Sequence, residues 1–266
     1  MAIIYGPVPS WRLGRSLGID LLNVKKKVCT FNCIYCQLGE TGRFVVEPEE
    51  FVDLNQLKRE LETLGPLNAD YATFSGTGEP ALAVNLGEAI ELARSNLALP
   101  VAVLTNSSLI SRPEVRERLA RADVVVAKLD AADEQTFSTV NRPASGLRFD
   151  RMLEGLRRFR DEYRGKLALQ VMLVEANRDH AGDIAELARS VCPDEVQINT
   201  PLRPSKAQPL PPPAIAGIRA QFTGLPNVVT VYEAPRYDVR PLDPAETLRR
   251  RPGPGDSLGS LGSPRA

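Results

Sequence analysis

This sequence has few histidines, few cysteines and no net charge. It has one histidine and four cysteines in 266 residues, and 33 basic residues balance 33 acidic ones. With the charges balanced, there is no general basic excess of the kind that marks a nucleic-acid-binding surface. The one histidine, His180, lies in a polar segment where a helix is expected to start, so a surface position is favoured over a catalytic role.

The sequence also lacks a long apolar run. No stretch approaches the roughly 18 uninterrupted apolar residues of a membrane-spanning helix, and the N-terminus has neither a charged leader nor a long apolar segment. We therefore expect no membrane association and a cytoplasmic location, where thiols stay reduced. So few cysteines in so long a chain also argue against a disulfide framework.

Three of the four cysteines form one motif. Cys29, Cys33 and Cys36 follow a Cys-x3-Cys-x2-Cys spacing in what we call the cysteine loop (residues 29–36), while Cys192 is most simply a buried free thiol. Three thiolates can occupy three corners of a cubane iron–sulfur cluster and leave one iron open to a ligand that is not protein. Zinc would need a fourth protein ligand, for which only His180 and Cys192 remain. Zinc and unrelated thiols stay open as alternatives.

Short β-branched runs alternate with helical patterns along most of the chain. Strands are predicted at 17–24, 71–75, 101–105, 124–129, 167–174, 195–199 and 228–231. Helices are predicted at 53–64, 85–96, 113–121, 149–163 and 183–191, with a further short helix after Asp133. This alternation is typical of a parallel sheet built from βα units. It predicts an α/β fold, a complete or partial βα barrel.

The barrel is predicted to occupy the middle of the chain. We expect an N-terminal extension at 1–16, a barrel core at 17–200, and a C-terminal βα extension at 201–250. The extension begins with a surface-crossing segment at 201–213, which has too many prolines for a helix. Residues 251–266 are rich in glycine, serine and proline and are expected to form a disordered tail.

The long connection after the first predicted strand carries the whole cysteine loop. Loops at the carboxyl ends of parallel strands form the chemical face of a βα barrel. An overlong connection at this place is therefore a candidate functional site.

A glycine-rich turn follows the second predicted strand. Its sequence is Ser75-Gly76-Thr77-Gly78-Glu79, and we call it the glycine turn (residues 75–79). Glycines let backbone come close to a ligand, and the Glu79 carboxylate is an acceptor for a cationic group. Alone, such a turn is most often a tight βα connection. Combined with the cysteine loop, it indicates a ligand site.

Polar side chains lie at or near the C-terminal ends of several other predicted strands. Because side chains alternate along a strand, Lys128 and Asp130 share one face and form a candidate pair for ribose or substrate. Gln170 lies on the fifth predicted strand, and Gln197 and Asn199 lie on the sixth. Amides inside a barrel need partners, so either a ligand or a core network is expected to satisfy them.

Three further residues are candidates, and two of them have two interpretations each. Asn106 follows the third predicted strand and either faces a ligand or caps the turn. Arg142 either clamps an anionic substrate group or forms a structural salt bridge. Arg203 lies in the proline-rich segment. The choice of catalytic group among Lys128, Asp130, Arg142 and Arg203 stays open.

A local basic run precedes the cysteine loop. It consists of Lys25, Lys26 and Lys27, with Arg12 and Arg15 upstream. Such a run is usually a solvated loop, and binding of a polyanion is the alternative.

The order and spacing of these motifs resemble one group of radical S-adenosylmethionine (SAM) proteins, stand-alone relatives of the wyosine (tRNA imidazoguanine) synthetases. The resemblance covers roughly residues 5–205. Besides the cysteine loop and the glycine turn, it rests on Gly6-Pro7-Val8-Pro9-Ser10, Arg12-Leu13-Gly14-Arg15-Ser16-Leu17-Gly18, Gln37-Leu38-Gly39, Leu129-Asp130-Ala131, Asn141-Arg142-Pro143 and Asn199-Thr200-Pro201-Leu202-Arg203-Pro204.

The resemblance implies a partial (βα)6-type radical SAM barrel with short N- and C-terminal extensions. It implies one [4Fe–4S] cluster on Cys29, Cys33 and Cys36, with the amino and carboxylate groups of SAM on the open iron. Tyr35 is then expected near the adenine, and the glycine turn near the amino group of SAM. The other expected cofactor contacts are Ser75, Gly76, Thr77, Gly78, Glu79, Asn106, Lys128, Asp130, Gln170 and Asn199.

The chemistry implied by the resemblance is reductive cleavage of SAM. An external one-electron reductant of flavodoxin or ferredoxin type supplies the electron, and the resulting 5′-deoxyadenosyl radical takes a hydrogen from the substrate. The archaeal and eukaryotic tRNA enzymes carry a second cluster on further cysteines, whereas this chain has only Cys192 beyond the three. The substrate stays open, with tRNA and another protein as candidates. A wyosine-synthetase-like tRNA enzyme and a non-catalytic iron–sulfur or zinc module are the alternatives.

Overall fold

The structure is a computed structural model that describes residues 1–253. Its strands are β1 (Ile4–Ser10), β2 (Gly14–Ile19), β3 (Val28–Cys29), β4 (Arg43–Phe44), β5 (Tyr71–Phe74), β6 (Val101–Thr105), β7 (Val124–Lys128), β8 (Lys166–Met172), β9 (Glu195–Asn199) and β10 (Val228–Thr230). Its helices are α1 (Leu54–Glu62), α2 (Leu86–Leu97), α3 (Pro113–Leu119), α4 (Glu134–Val140), α5 (Phe149–Glu162), α6 (Ala181–Val191), α7 (Pro212–Arg219) and α8 (Pro244–Arg250). Within this described part, no helix combines the length and apolarity needed to cross a membrane.

Eight strands of the described chain form one curled sheet in the order β1-β2-β5-β6-β7-β8-β9-β10. β1 is antiparallel to β2, and every later pair of neighbours is parallel. Helices α1 to α7 pack on the convex face, where they form the main core with the outward side chains of the strands. The concave face has a small apolar cluster around Leu13, Ala102 and Val126. The predicted α/β partial barrel is confirmed.

The predicted strands are present, with differences at their ends. β6 and β9 have the predicted bounds. The first predicted strand, 17–24, begins earlier, at Gly14, and stops at Ile19. It stops there because the Asp20 carboxylate accepts the backbone N–H groups of Leu22 and Asn23, at 3.3 and 3.1 Å, and turns the chain out of the sheet.

The N-terminal extension includes a strand that the sequence did not predict. β1 lies at the edge of the sheet, where Pro7 and Pro9 are tolerated because an edge strand need not donate from every N–H. Tyr5 pairs with Gly18, and its ring covers the space where a Gly18 side chain would lie. Since Gly18 pairs with Thr73, and Thr73 with Ala102 of the concave cluster, the Tyr5 ring lies on the concave face.

The C-terminal extension is partly helical. Residues 201–211 have no helix or strand, as expected, but α7 begins inside the proline-rich segment, at Pro212. Proline fits there because the first turn of a helix needs no intrahelical N–H donors. α8 follows, and the Asp243 side chain caps it by accepting from the backbone of Ala245 and Glu246. Most of the expected tail, residues 254–266, lies outside the described residues.

Cys192 is exposed, and the expectation that it is buried is wrong. It ends α6 in the left-handed conformation, with φ of 54°. The side chain of His180, before the same helix, is 42 % exposed.

Candidate active site

The cysteine loop lies between the glycine turn and the C-terminal end of α4. On one side, the N–H of Val28, just before the loop, donates to the carbonyl of Thr77 at 3.2 Å. On the other side, the N–H of Asn32 donates to the carbonyl of Asn141 at 3.0 Å. Backbone bonds to two separate elements fix the place of the three thiols.

The three thiols are shielded from solvent to different degrees. Cys29 is buried, and Cys33 and Cys36 are half-buried. Burial raises the pKa of the Cys29 thiol to about 12 and that of Cys33 to about 11. Side-chain amides approach two of the sulfurs: Asn106 Nδ2 lies 3.5 Å from Cys29 Sγ, and Asn141 Nδ2 lies 3.7 Å from Cys33 Sγ. Each amide is placed to donate to a thiolate sulfur.

Within residues 1–253, no three His, Cys, Asp or Glu side chains converge on one point as ligands of a single metal ion. A cluster distributes its thiolate ligands over separate irons, so it does not require such convergence. The absence of such a group therefore does not argue against a cluster.

Lys27 is buried beside the cysteine loop, whereas Lys25 and Lys26 are exposed. The Lys27 Nζ lies 3.5 Å from the carbonyl oxygen of Gly39. Burial disfavours its charge, but the nearby thiols, that of Cys36 first, outweigh this effect, so the pKa of Lys27 is raised. The basic run is therefore not one continuous solvated surface.

The glycine turn is in close contact with the elements on both sides of it. At Gly76, with φ of 151°, a Cβ would overlap the carboxylate of Asp20. At Gly78, a Cβ would overlap the carbonyl oxygen of Val28 and lie 2.8 Å from its carbonyl carbon. Thr77 Oγ1 donates to Asp20 Oδ2 at 3.0 Å. Only glycine at positions 76 and 78 lets the turn lie against both neighbours.

Glu79 connects three segments around the turn. Its Oε1 accepts from Thr105 Oγ1 at 2.6 Å and from the N–H of Ala81 at 3.0 Å, and its Oε2 accepts from the N–H of Asn106 at 2.6 Å. Burial raises the pKa of Glu79 to about 7, although these hydrogen bonds act in the opposite direction. A carboxylate has about four acceptor positions, so about one stays available to a ligand.

The raised pKa of Glu79 gives a pH dependence to the stability of the cofactor-free protein. Between 4.5, its usual pKa, and about 7, the folded protein keeps a proton that the unfolded chain has released. The free energy of unfolding is therefore expected to fall as the pH rises through this window, by roughly 3 kcal/mol in total. Urea unfolding of the wild type and of Glu79→Gln at several pH values measures the effect. If the wild type and Glu79→Gln differed in free energy of unfolding by the same amount from about pH 5 to pH 8, this expectation would be contradicted.

Tyr35, Lys128 and Asp130 lie together, as a hydrogen-bonded group at the end of β7. The Tyr35 hydroxyl donates to Asp130 Oδ2, and Asn141 Nδ2 donates to the same oxygen at 3.0 Å. Asp130 Oδ1 accepts from the N–H of Met172 at 2.8 Å and lies 3.4 Å from Lys128 Nζ. Burial raises the pKa of Tyr35 well above its usual value, so the hydroxyl keeps its proton and donates. This group holds the residue before the last cysteine against β7.

Two amides on the concave face have unused hydrogen-bonding atoms. Gln170 and Gln197 are paired across β8 and β9. Gln170 Oε1 accepts from Lys128 Nζ at 3.3 Å. Gln170 Nε2 and Gln197 Oε1 are buried and have no partner within the described residues. Asn199, at the end of β9, uses its Oδ1 to accept from the N–H of Thr200 at 2.9 Å. Unpartnered buried amides are uncommon in cores and are groups that a ligand can satisfy.

The four residues considered for catalysis do not form one group. Lys128 and Asp130 lie together on the chemical face. Arg142 is exposed and lines a small cavity together with Cys33, Cys36 and Glu40. Arg203 is half-buried and lies near Arg12 and Arg251, not near Lys128 and Asp130.

Sequence reasoning missed a buried ion pair behind the glycine turn. Arg250 Nε of α8 lies 2.8 Å from Asp20 Oδ2, and the two side chains are 0 % and 1 % exposed. Asn177 was also missed: its Nδ2 donates to the carbonyl of Asp130 at 2.8 Å and to that of Met172 at 2.9 Å. The sequence carries no local signal for either contact, because Asp20 and Arg250 lie 230 residues apart.

The family model of the radical SAM superfamily matches residues 25–188, which carry the cysteine loop, the glycine turn and Asp130. The chain belongs to the radical SAM superfamily. It is 38 % identical over 222 residues to the UPF0026 protein MJ1312 of Methanocaldococcus jannaschii, an alignment that covers 81 % of this chain and 68 % of that protein. It is 39 % identical over 206 residues to the UPF0026 protein slr1464 of Synechocystis, which covers 77 % of each.

Among solved structures, archaeal TYW1 has a similar fold. The TM-score is 0.55 at 15 % sequence identity, and the match covers 80 % of this chain and 72 % of that one. At this identity the likeness concerns the fold of the partial barrel alone.

As a radical SAM enzyme, the chain uses an iron–sulfur cluster and SAM, and radical SAM enzymes generally need an external reductant. The described residues fit these groups in three respects. Three soft thiols stand on one fixed loop, the Glu79 carboxylate keeps about one free acceptor position, and the concave face has unpartnered amides.

Proposed function

We propose that Cys29, Cys33 and Cys36 bind one [4Fe–4S] cluster and that SAM binds at its open iron beside the glycine turn. When bound, these groups supply reductive cleavage of SAM and a 5′-deoxyadenosyl radical that takes a hydrogen from the substrate. The observation that carries the proposal is the contact between the two motifs: Gly78 lies against the residue that precedes Cys29.

The role of the cysteine loop is to present three thiols in a fixed arrangement. The amides of Asn106 and Asn141 donate to the sulfurs of Cys29 and Cys33 at 3.5 and 3.7 Å. Hydrogen bonds of this kind stabilise negative charge on the sulfurs, which supports acceptance of an electron from a flavodoxin- or ferredoxin-type donor.

The glycine turn and the ends of β7, β8 and β9 then hold SAM. Backbone groups at Gly76 and Gly78 and the remaining acceptor position of Glu79 suit the amino group. Tyr35, kept in place by Asp130, suits the adenine. The Lys128 ammonium and the amides of Gln170 and Asn199 lie on the concave face, where ribose and substrate are expected.

The alternative of a tRNA-modifying enzyme has less support from the described residues. Of the local basic run, Arg15 is already paired with Asp70, its Nε 3.1 Å from the carboxylate, and Lys27 is buried. Only Lys25 and Lys26 are exposed. This does not form the continuous basic surface that tracks a phosphate backbone.

Anaerobic reconstitution of the full chain tests the proposed function. The expected result is about four irons and four sulfides per chain. Addition of dithionite and SAM is expected to yield 5′-deoxyadenosine, detected by mass spectrometry. Zinc without sulfide, or a fully loaded cluster that forms no 5′-deoxyadenosine with any reductant, would exclude the proposal in favour of a metal-binding module.

A further inference from the structure

Three guanidinium groups come together where β1 closes one edge of the barrel. Arg12 lies in the hairpin between β1 and β2, Arg203 follows β9, and Arg251 follows α8. Arg203 Nη1 donates to the carbonyl of Pro252 at 3.0 Å, so it lies next to Arg251. Arg251 Nη2 donates to the carbonyl of Pro9 at 3.4 Å, near the start of the hairpin. We call these three residues the arginine cluster.

The arginine cluster faces the concave side of the sheet. Arg203 and Arg251 both lie close enough to Tyr5 for the charges to interact, and the Tyr5 ring is on the concave face. The Tyr5 hydroxyl is 2.8 Å from Ser75 Oγ of the glycine turn. Tyr5 therefore lies near both the cluster and the proposed SAM site.

Within residues 1–253, none of the three guanidinium groups has a carboxylate partner, and Arg203 and Arg251 each donate to a backbone carbonyl. The Arg12 Nε is buried and unpartnered, with the guanidinium 5.1 Å from the centre of the Trp11 ring. The two most deeply buried arginines of the described chain are paired with carboxylates: the Arg116 Nε lies 2.8 Å from Glu162, and the Arg250 Nε lies 2.8 Å from Asp20.

All three arginines are half-buried, and unpaired like charges are costly when they are partly shielded from water together. Burial first, and then the charge of Arg203, lowers the pKa of Arg12 to about 10. The pKa of Arg251 is lowered to about 9 by burial and by the charges of Arg203 and Arg12. Backbone carbonyls and the Trp11 ring offset only part of this cost, and no carboxylate of the described residues balances the charge, whereas an anionic ligand would.

We propose that the arginine cluster is a subsite for a phosphate group of the substrate. The inference rests on the proposed function, because it takes the concave face as the place where substrate meets the SAM-derived radical. The planar guanidinium groups of three arginines can donate to the oxygens of a phosphate. The double negative charge of a phosphate also neutralises more of the positive charge of the cluster than one carboxylate does. The substrate is then a small phosphorylated molecule whose reacting end lies toward the glycine turn.

The test uses the reconstituted full chain without substrate, with inorganic phosphate as the probe and acetate at equal ionic strength as the comparison. Titration calorimetry is expected to detect phosphate binding that is at least about tenfold tighter than acetate binding. Arg203→Gln and Arg12→Met are each expected to weaken it by at least about tenfold. Arg164→Gln, at an exposed position outside the cluster, is the matched control and is expected to bind phosphate like the wild type.

A second measurement separates a ligand site from a structural arginine. Without phosphate, Arg12→Met is expected to unfold at a higher temperature than the wild type, because the change removes an unpaired buried charge. A structural arginine would give the opposite sign. Phosphate is expected to raise the unfolding temperature of the wild type and not that of Arg12→Met.

Absence of phosphate binding to the wild type, binding unchanged in the cluster variants, or acetate bound as tightly as phosphate would each overturn the subsite. These outcomes are independent of SAM cleavage. A protein that binds phosphate through the cluster but forms no 5′-deoxyadenosine would overturn the proposed function alone. A protein that cleaves SAM but binds no phosphate would overturn the subsite alone.

Discussion

Replacement of Arg250 by methionine is expected to lower the free energy of unfolding by about 3–5 kcal/mol. The reason is that it leaves the carboxylate of Asp20, 1 % exposed, without its cationic partner. Arg250 also donates to the carbonyl of Ala2 at 2.6 Å and to Asn23 Oδ1 at 2.9 Å, so the change removes several of the bonds between α8 and the N-terminal segment. Urea unfolding followed by circular dichroism measures the loss.

The same change is expected to weaken SAM binding, because Asp20 accepts from Thr77 of the glycine turn. The matched control is Arg236→Met, at an exposed position, which is expected to change stability by less than about 0.5 kcal/mol. Equal stability of the two variants would show that the buried pair does not hold α8 in place.

Replacement of Gly78 by alanine is expected to displace the cysteine loop. The added Cβ would overlap the carbonyl oxygen of Val28 and lie 2.8 Å from Leu22 Cδ2. The obstacle at Val28 is backbone and has no rotamer that relieves it, so the cost is expected to be about 3 kcal/mol or more. The N–H of Val28 bonds to Thr77, so movement of Val28 also breaks the link between the loop and the turn.

Iron and sulfide analysis after reconstitution, together with urea unfolding, measures this effect. Gly78→Ala is expected to retain little cluster. Gly65→Ala is the matched control, because nothing lies within 4 Å of a Cβ at that position. Wild-type iron content in Gly78→Ala would contradict a close fit between the glycine turn and the cysteine loop.

The architecture follows from local patterns in the sequence. Alternating apolar strands and amphipathic helices predict a parallel sheet, and β6 and β9 begin and end where the β-branched runs do. β1 was missed because Pro7 and Pro9 argue against a strand unless the strand lies at an edge. Edge position is a property of the whole sheet and is not visible in seven residues.

The candidate site is only partly visible in the sequence. The spacing of Cys29, Cys33 and Cys36 and the glycines of the turn are local signals, and the alternation rule brought Lys128 and Asp130 to one face. Contacts between distant segments have no such signal. The buried pair of Asp20 with Arg250, the bonds made by Asn177 and the arginine cluster all depend on how the chain ends return to the barrel. In the sequence alone, the residues that make these contacts cannot be told from polar residues of the surface.

The most direct test of the central claim is the amount of 5′-deoxyadenosine formed from SAM by Cys33→Ser and by Cys192→Ser after identical anaerobic reconstitution and reduction. Cys192 is exposed and far along the chain, so it controls for the loss of a thiol as such. The account expects Cys192→Ser to match the wild type and Cys33→Ser to give background levels. Equal product from the two variants, or none from the wild type with its cluster loaded, would contradict it.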